Sequence, residues 1–188
     1  MIDPAGCGGS FAKGDRDYEL IRAVGAGDIP AFEKLIEGYR SPVLNFIFKY
    51  TGDRFGAEDI AQEVFLRVYR AAPRYEPRGK VSTWIFKIAY NLSVNEMVQR
   101  SRFCPMTDVD DRGFEPAEPN DTARKELQQE VMDAIRQLPE KQRAALLLRV
   151  NEELSYAEIG SILSTSLSSV ESLLFRAREN LRKMLVRH

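Results

Sequence analysis

Two clusters of side chains stand out for the chemistry they can do, and in both that chemistry is binding. The first runs from Arg78 to Arg102. Its basic residues Arg78, Lys80, Lys87, Arg100 and Arg102 face one acid, Glu96, a net of +4, and Trp84, Asn91 and Asn95 lie among them. Cations hold phosphates, an indole gives an unstacked base a surface, and amides pair with base edges. That combination suits single-stranded nucleic acid. The second cluster runs from Ser168 to His188, where Arg176, Arg178, Arg182, Lys183 and Arg187 face Glu171 and Glu179, a net of +3. Cationic side chains beside phosphates supply most sequence-independent affinity for DNA.

Bond-making chemistry lacks its parts. The one histidine is His188, so no nucleophile–histidine–acid set can form. No glycine-rich phosphate loop occurs. Cys7 and Cys104 make neither a CxxC pair nor a disulfide framework, and they read as free thiols in a reducing compartment. The expectation is a chain that is not an enzyme, with no cofactor, no metal and no small-molecule substrate.

The elements that must carry these clusters are helical throughout. Period-two alternation and Asn-Gly or Asp-Gly hairpins are missing, while apolar residues recur at three- and four-residue steps. Tyr18–Ala26 is a short helix stopped by glycines. Asp28 can cap the next, with Pro30 tolerated in its first turn. Its apolar residues run from Phe32 to Tyr50, and Gly52 breaks the pattern. Ala57–Ala72 is amphipathic, with Ile60, Ala61, Val64, Phe65 and Val68 inward and Asp59, Gln62, Glu63 and Arg67 outward. Pro73 ends it. A loop over 74–80 leads into a helix from Ser82 to about Arg100, with Ile85, Ile88, Ala89 and Leu92 toward the core.

Composition then changes. Residues 104–121 hold six acids against Arg112, with three prolines and a glycine, and read as a flexible acidic linker. The expected organisation is all-α: a flexible tail over 1–16, one small helical domain over 17–103, the linker, and a second domain over 122–188. Helices are expected near Thr122–Gln137, Glu140–Val150, Tyr156–Leu163 and Ser168–Val186. Ser155 and Glu158 form a capping box before the third of these. Ser164-Thr165-Ser166 makes a polar turn, and Val170, Leu173, Leu174 and Ala177 line the apolar side of the last. Two helices joined this way form a helix-turn-helix, whose second helix enters the major groove. There is neither a signal-peptide pattern nor a run of about 20 apolar residues, so a soluble cytoplasmic chain without membrane insertion is expected.

Three blocks together carry a family resemblance: AEDIAQEVFLRVYRA (57–71), STWIFKIAYNLSVNEMVQR (82–100) and LPEKQRAALLLRVNEELSYAEIGSILSTSLSSVESLLFRARENLRKML (138–185). In this order and spacing the chain resembles the extracytoplasmic-function sigma factors of the sigma-70 family. The resemblance implies a transcription initiation factor that binds core RNA polymerase and directs it to promoters of a stress- or envelope-responsive set of genes. It implies that Asp59, Gln62, Glu63 and Arg67 meet the polymerase. Arg78, Lys80, Trp84, Lys87, Asn91 and Asn95 would take the minus-ten DNA, with a flipped base held by the loop over 75–83 and Asn91. Ser168, Ser169, Glu171, Ser172, Phe175, Arg176 and Arg178 would take the minus-thirty-five DNA. An anti-sigma factor is implied as a further partner, and the linker would thread the polymerase cleft. Where the family often has basic residues this chain has Glu171 and Leu173, and Ser164 replaces the usual turn glycine. The rival reading is a helix-turn-helix regulator that never binds core polymerase.

Overall fold

The computed structural model describes residues 13–77, 79–103, 122–151 and 154–186. Among these are eight α-helices, one 3-10 turn and no strand. In chain order they are α1 (Lys13–Gly25), α2 (Ile29–Thr51), α3 (Arg54–Ala71), the 3-10 turn (Ala72–Arg74), α4 (Val81–Phe103), α5 (Thr122–Arg136), α6 (Glu140–Asn151), α7 (Tyr156–Leu163) and α8 (Leu167–Leu185). Of the expected tail over 1–16, residues 13–16 belong instead to the first turn of α1, and residues 1–12 lie outside the described residues, as does the acidic linker over 104–121.

Local sequence explains the helix ends. Asp28 caps α2, its carboxylate accepting from the Ala31 amide at 3.0 Å, with proline in the first turn. Gly52 stops α2 at a φ of 79°, in the left-handed region where an L side chain is strained. The apolar pattern that runs past Pro42 is therefore one helix of 23 residues. Helix α1 starts five residues earlier than the hydrophobic pattern suggests, because Lys13–Asp17 is polar and carries no periodic signal.

Helices α1 to α4 pack around Leu35, Val43, Phe46, Ile47, Tyr50, Val64, Val68, Ile85, Phe86 and Ala89, all buried. Aromatic rings organise its centre. Phe46 stacks on Tyr50 at 5.8 Å and meets Phe86 edge-on at 5.8 Å, and Tyr90 approaches Tyr50 edge-on.

The second half does not stand apart from this core. Ala144, Ala145, Leu147 and Leu148 of α6, with Ile159, Ile162 and Leu163 of α7, join the same continuous apolar cluster as Phe46 and Tyr50. Six successive residues of α6, Arg143–Leu148, are buried. A helix apolar on nearly all sides must be covered on nearly all sides. Here α2 covers one side of α6, and α7 and α8 the others. Each fully buried leucine stabilises by about 1.5–3 kcal/mol.

Arg143 pins the two halves together. It is 8% exposed. Its guanidinium donates to the Tyr50 carbonyl at 2.7 Å and to the Leu138 carbonyl at 3.2 Å, and it lies over the Tyr50 ring. The Tyr50 carbonyl belongs to the last turn of α2, whose terminal carbonyls have no partner within the helix. A cation is the favoured partner at that negative end of the helix dipole. Burial lowers the pKa of the guanidinium and raises that of the Tyr50 phenol. Arg136 reinforces the contact, lying over the Phe48 ring at 5.9 Å.

Candidate nucleic-acid interface

Helix α3 lies between two grooves. On one side, with α2, Phe32, Ile36, Leu44, Ala61, Phe65 and Leu66 line a mostly apolar groove of about 340 Å³, and Gln62 is at its edge. Asp59 and Gln62 are exposed, on the outward side that the helical periodicity predicts. Glu63 and Arg67 are not independent: the Arg67 guanidinium bonds the Glu63 carboxylate at 2.7 Å, one turn away. Sequence reasoning missed the apolar part of this face. Leu66 is 46% exposed, and Tyr69 rests on Phe32 at 5.0 Å. The available signal was that both residues fall off the inward stripe of α3.

On its other side α3 borders a larger cavity of about 830 Å³, lined by Arg67, Arg70, Arg74, Lys80 and Lys87 with Glu76 as the one acid. Tyr75 and Trp84 meet here with ring centres 4.7 Å apart, and the Tyr75 hydroxyl donates to the Gly79 carbonyl, closing the loop. Trp84 is half-buried. It packs against the core and also forms part of the cavity wall. Arg70 and Arg74 were not among the expected residues. They sit at the end of the amphipathic pattern, where periodicity carries no information.

The structure gathers Lys80, Trp84 and Lys87 into this cavity and leaves two expected residues outside its lining. Asn91 and Asn95 are exposed further along α4. Arg78 lies outside the described residues. Arg100, counted with the basic surface, is engaged internally: it bonds Glu96 one turn back and Asp53 at the start of α3. Burial alone would raise the Asp53 carboxyl, but the Gly56 amide and the Arg100 guanidinium outweigh it and hold its pKa below the usual value. Arg100 thus ties the end of α4 to the start of α3.

The far wall of the cavity comes from the second half. Ser161 of α7 lines it, and Lys80 pairs with Glu158 of α7 at 2.8 Å. Glu158 also closes the capping box, accepting from the Ser155 amide and hydroxyl. Burial raises its pKa. Lys80 and the Ser155 donors more than offset that and hold it below the ordinary carboxylate value.

Helices α7 and α8 have the expected helix-turn-helix form. Ser164 sits at a φ of 51°, the left-handed conformation that usually selects glycine. Gly160 is needed in mid-helix because a β-carbon there would lie 2.9 Å from the Thr165 carbonyl of the turn. Val170, Leu174 and Ala177 of α8 are buried, and Leu173 packs on the core. The opposite face is open: Ser168, Glu171, Ser172, Phe175, Arg176 and Arg178 are exposed, and Ser169 is half-buried. Ser166 caps α8, its hydroxyl accepting from the Ser169 amide and meeting the hydroxyls of Ser168 and Ser169.

Among the described residues no helix is long and apolar enough to cross a membrane. No group of three or more metal-ligating side chains occurs among them either.

Comparison with known proteins gives the same outline. Sigma-70 region 2 matches residues 35–103, and Sigma-70, region 4 matches residues 128–181. The RNA polymerase sigma-H factor of Pseudomonas aeruginosa is 35% identical over 182 residues, 91% of this chain and 94% of that protein. The ECF RNA polymerase sigma-E factor of Escherichia coli K12 is 34% identical over 176 residues, 87% of this chain and 91% of that protein. Among solved structures, CnrH in complex with the cytosolic domain of CnrY shares the fold with a TM-score of 0.71 at 22% identity, covering 92% of this chain and 99% of that one. The sigma factor RpoE of Bartonella quintana, in complex with the anti-sigma factor NepR, does so with a TM-score of 0.68 at 21% identity, covering 82% and 96%.

Proposed function

The chain belongs to the sigma-70 family of transcription initiation factors, and from that premise we propose that it binds core RNA polymerase and carries it to the promoters of a stress- or envelope-responsive set of genes. The carrying observation is the basic cavity with the Tyr75–Trp84 pair in its wall, next to the polar face of α3 and on the same chain as a helix-turn-helix. With this reading goes a cytoplasmic, non-enzymatic role, in keeping with the family.

In this reading Asp59, Gln62 and Glu63 meet the polymerase, and Leu66 and Tyr69 supply apolar area beside them. Lys80, Trp84 and Lys87 take the strand that leaves the duplex near minus ten. The cations hold its phosphates, and the aromatic pair gives an unstacked base a surface. Asn91 and Asn95 extend the same face along α4. Helix α8 enters the major groove of the upstream element through Ser168, Ser169, Glu171, Ser172, Phe175, Arg176 and Arg178. An anti-sigma factor is the expected inhibitor, and the segment over 104–121 is the connector between the two DNA-binding parts.

The test is whether the purified full chain co-elutes with Escherichia coli core RNA polymerase and gives promoter-specific transcripts. Asp59→Lys with Glu63→Lys should weaken that association about tenfold or more while the fold stays intact, since both residues lie on the outer side of α3. Unchanged association in the double variant would remove the α3 docking role. A chain that binds DNA but never core polymerase would be a regulator of the helix-turn-helix type instead.

A further inference from the structure

On the open face of α8 the hydroxyls have partners already. Ser168 and Ser169 meet Ser166 in the cap, and Ser172 donates to the Ser168 carbonyl at 3.0 Å. Among the described residues, the side chains of that face not engaged by the chain itself are Glu171, Phe175, Arg176 and Arg178. Glu171 is exposed and forms no ion pair among the described residues, although three arginines and a lysine follow it on the same helix. Phe175, one turn on, is 67% exposed, while Val170 and Leu174 make the packing contacts. Neither the carboxylate nor the ring serves the fold.

We infer that Glu171 reads a cytosine in the upstream promoter element, its carboxylate accepting from the exocyclic amine. The inference rests on the sigma-factor reading above and adds base specificity to it. A carboxylate can only accept, and it repels phosphate, so in a groove it must meet a donor or lower affinity. Guanine offers only acceptors on its major-groove edge, and thymine offers an acceptor and a methyl group. Adenine has an amine, but an acceptor nitrogen sits next to it. Cytosine alone has an amine with no acceptor beside it on that edge.

The test uses holoenzyme assembled from the full chain and Escherichia coli core RNA polymerase. It is challenged with a duplex library randomised over both promoter elements. Wild type should select cytosine at one upstream position, and Glu171→Ala should lose about tenfold of that preference while keeping its preferences elsewhere. Replacing that cytosine by 2-pyrimidinone, which lacks the amine, should weaken wild type by a similar factor and leave Glu171→Ala unaffected. If Glu171→Ala keeps every base preference and binds all sequences more tightly, the carboxylate only repels the backbone and the assignment is wrong. If the chain does not join the polymerase at all, the sigma-factor reading fails first and the base reading with it.

Discussion

The two regions proposed to meet DNA differ in how free they are. The recognition face of α8 points to solvent, and its charged groups Glu171, Arg176 and Arg178 have no ion-pair partner among the described residues. The cavity between α3 and α4 is walled on one side by α7, and one of its cations, Lys80, is held by Glu158. Among the described residues the first stands open to a duplex. A strand entering the second must compete with a carboxylate of the chain itself. Similar chemistry therefore sits in an open and a covered form in one molecule, and the difference comes from packing rather than from composition.

The strongest way to break this contrast is Arg143→Ala. It removes two hydrogen bonds from a buried guanidinium and orphans the end of α2, which should cost about 3 kcal/mol. Urea unfolding measures the loss. Amide exchange should rise in α6 and α7, and binding of single-stranded oligonucleotides by the free chain should strengthen while duplex binding stays the same. Equal protection of α6 in both proteins would mean that Arg143 does not hold the halves together.

Trp84→Ala comes next, at about 2 kcal/mol, less than the cost for a fully buried tryptophan because this one is half-exposed. Beyond stability, it should slow promoter opening on closed duplex more than on a pre-melted bubble, read by permanganate footprinting. A defect of the same size on both templates would reduce its role to packing.

Ser164→Gly relieves the left-handed turn and should stabilise the helix-turn-helix by about 1 kcal/mol, read as a higher Tm. No gain would show that the turn holds this conformation at no cost.

The smallest effect is on the Lys80–Glu158 pair. Lys80 is largely exposed, so screening keeps its value under about 1 kcal/mol. Glu158 has its folded pKa depressed. Its contribution is therefore present above its ordinary value of 4.5 and lost as pH falls through the lower folded value. A Glu158→Gln variant should match wild type in acid and be slightly weaker at neutral pH. A difference that grows toward acid would reverse the sign and remove the pair from the covered region's account.

The helix content, the order of the elements and most buried positions were legible without coordinates. Val64, Val68, Ile159, Val170 and Leu174 recur at helical spacing, and that spacing alone puts them on one side. The caps at Asp28 and Ser155 were equally legible, because a cap needs only its own three or four neighbours. The outward faces of α3 and α8 followed from the same periodicity.

What needed the tertiary structure was every relation between distant elements. The run Ala144–Leu148 shows in sequence that α6 is covered on most sides, but not by which helices; α2 is one of them. Arg143 reads as one more surface cation until α2 brings the Tyr50 carbonyl to it from 93 residues away. Arg100 counts toward a basic DNA surface until Asp53 is seen to hold it. Lys80 looks free until Glu158 arrives from the other half. A helical pattern sets which way a side chain points along its own helix. A long-range partner depends on loop closure and on core packing summed over many residues, and neither leaves a local mark on the chain.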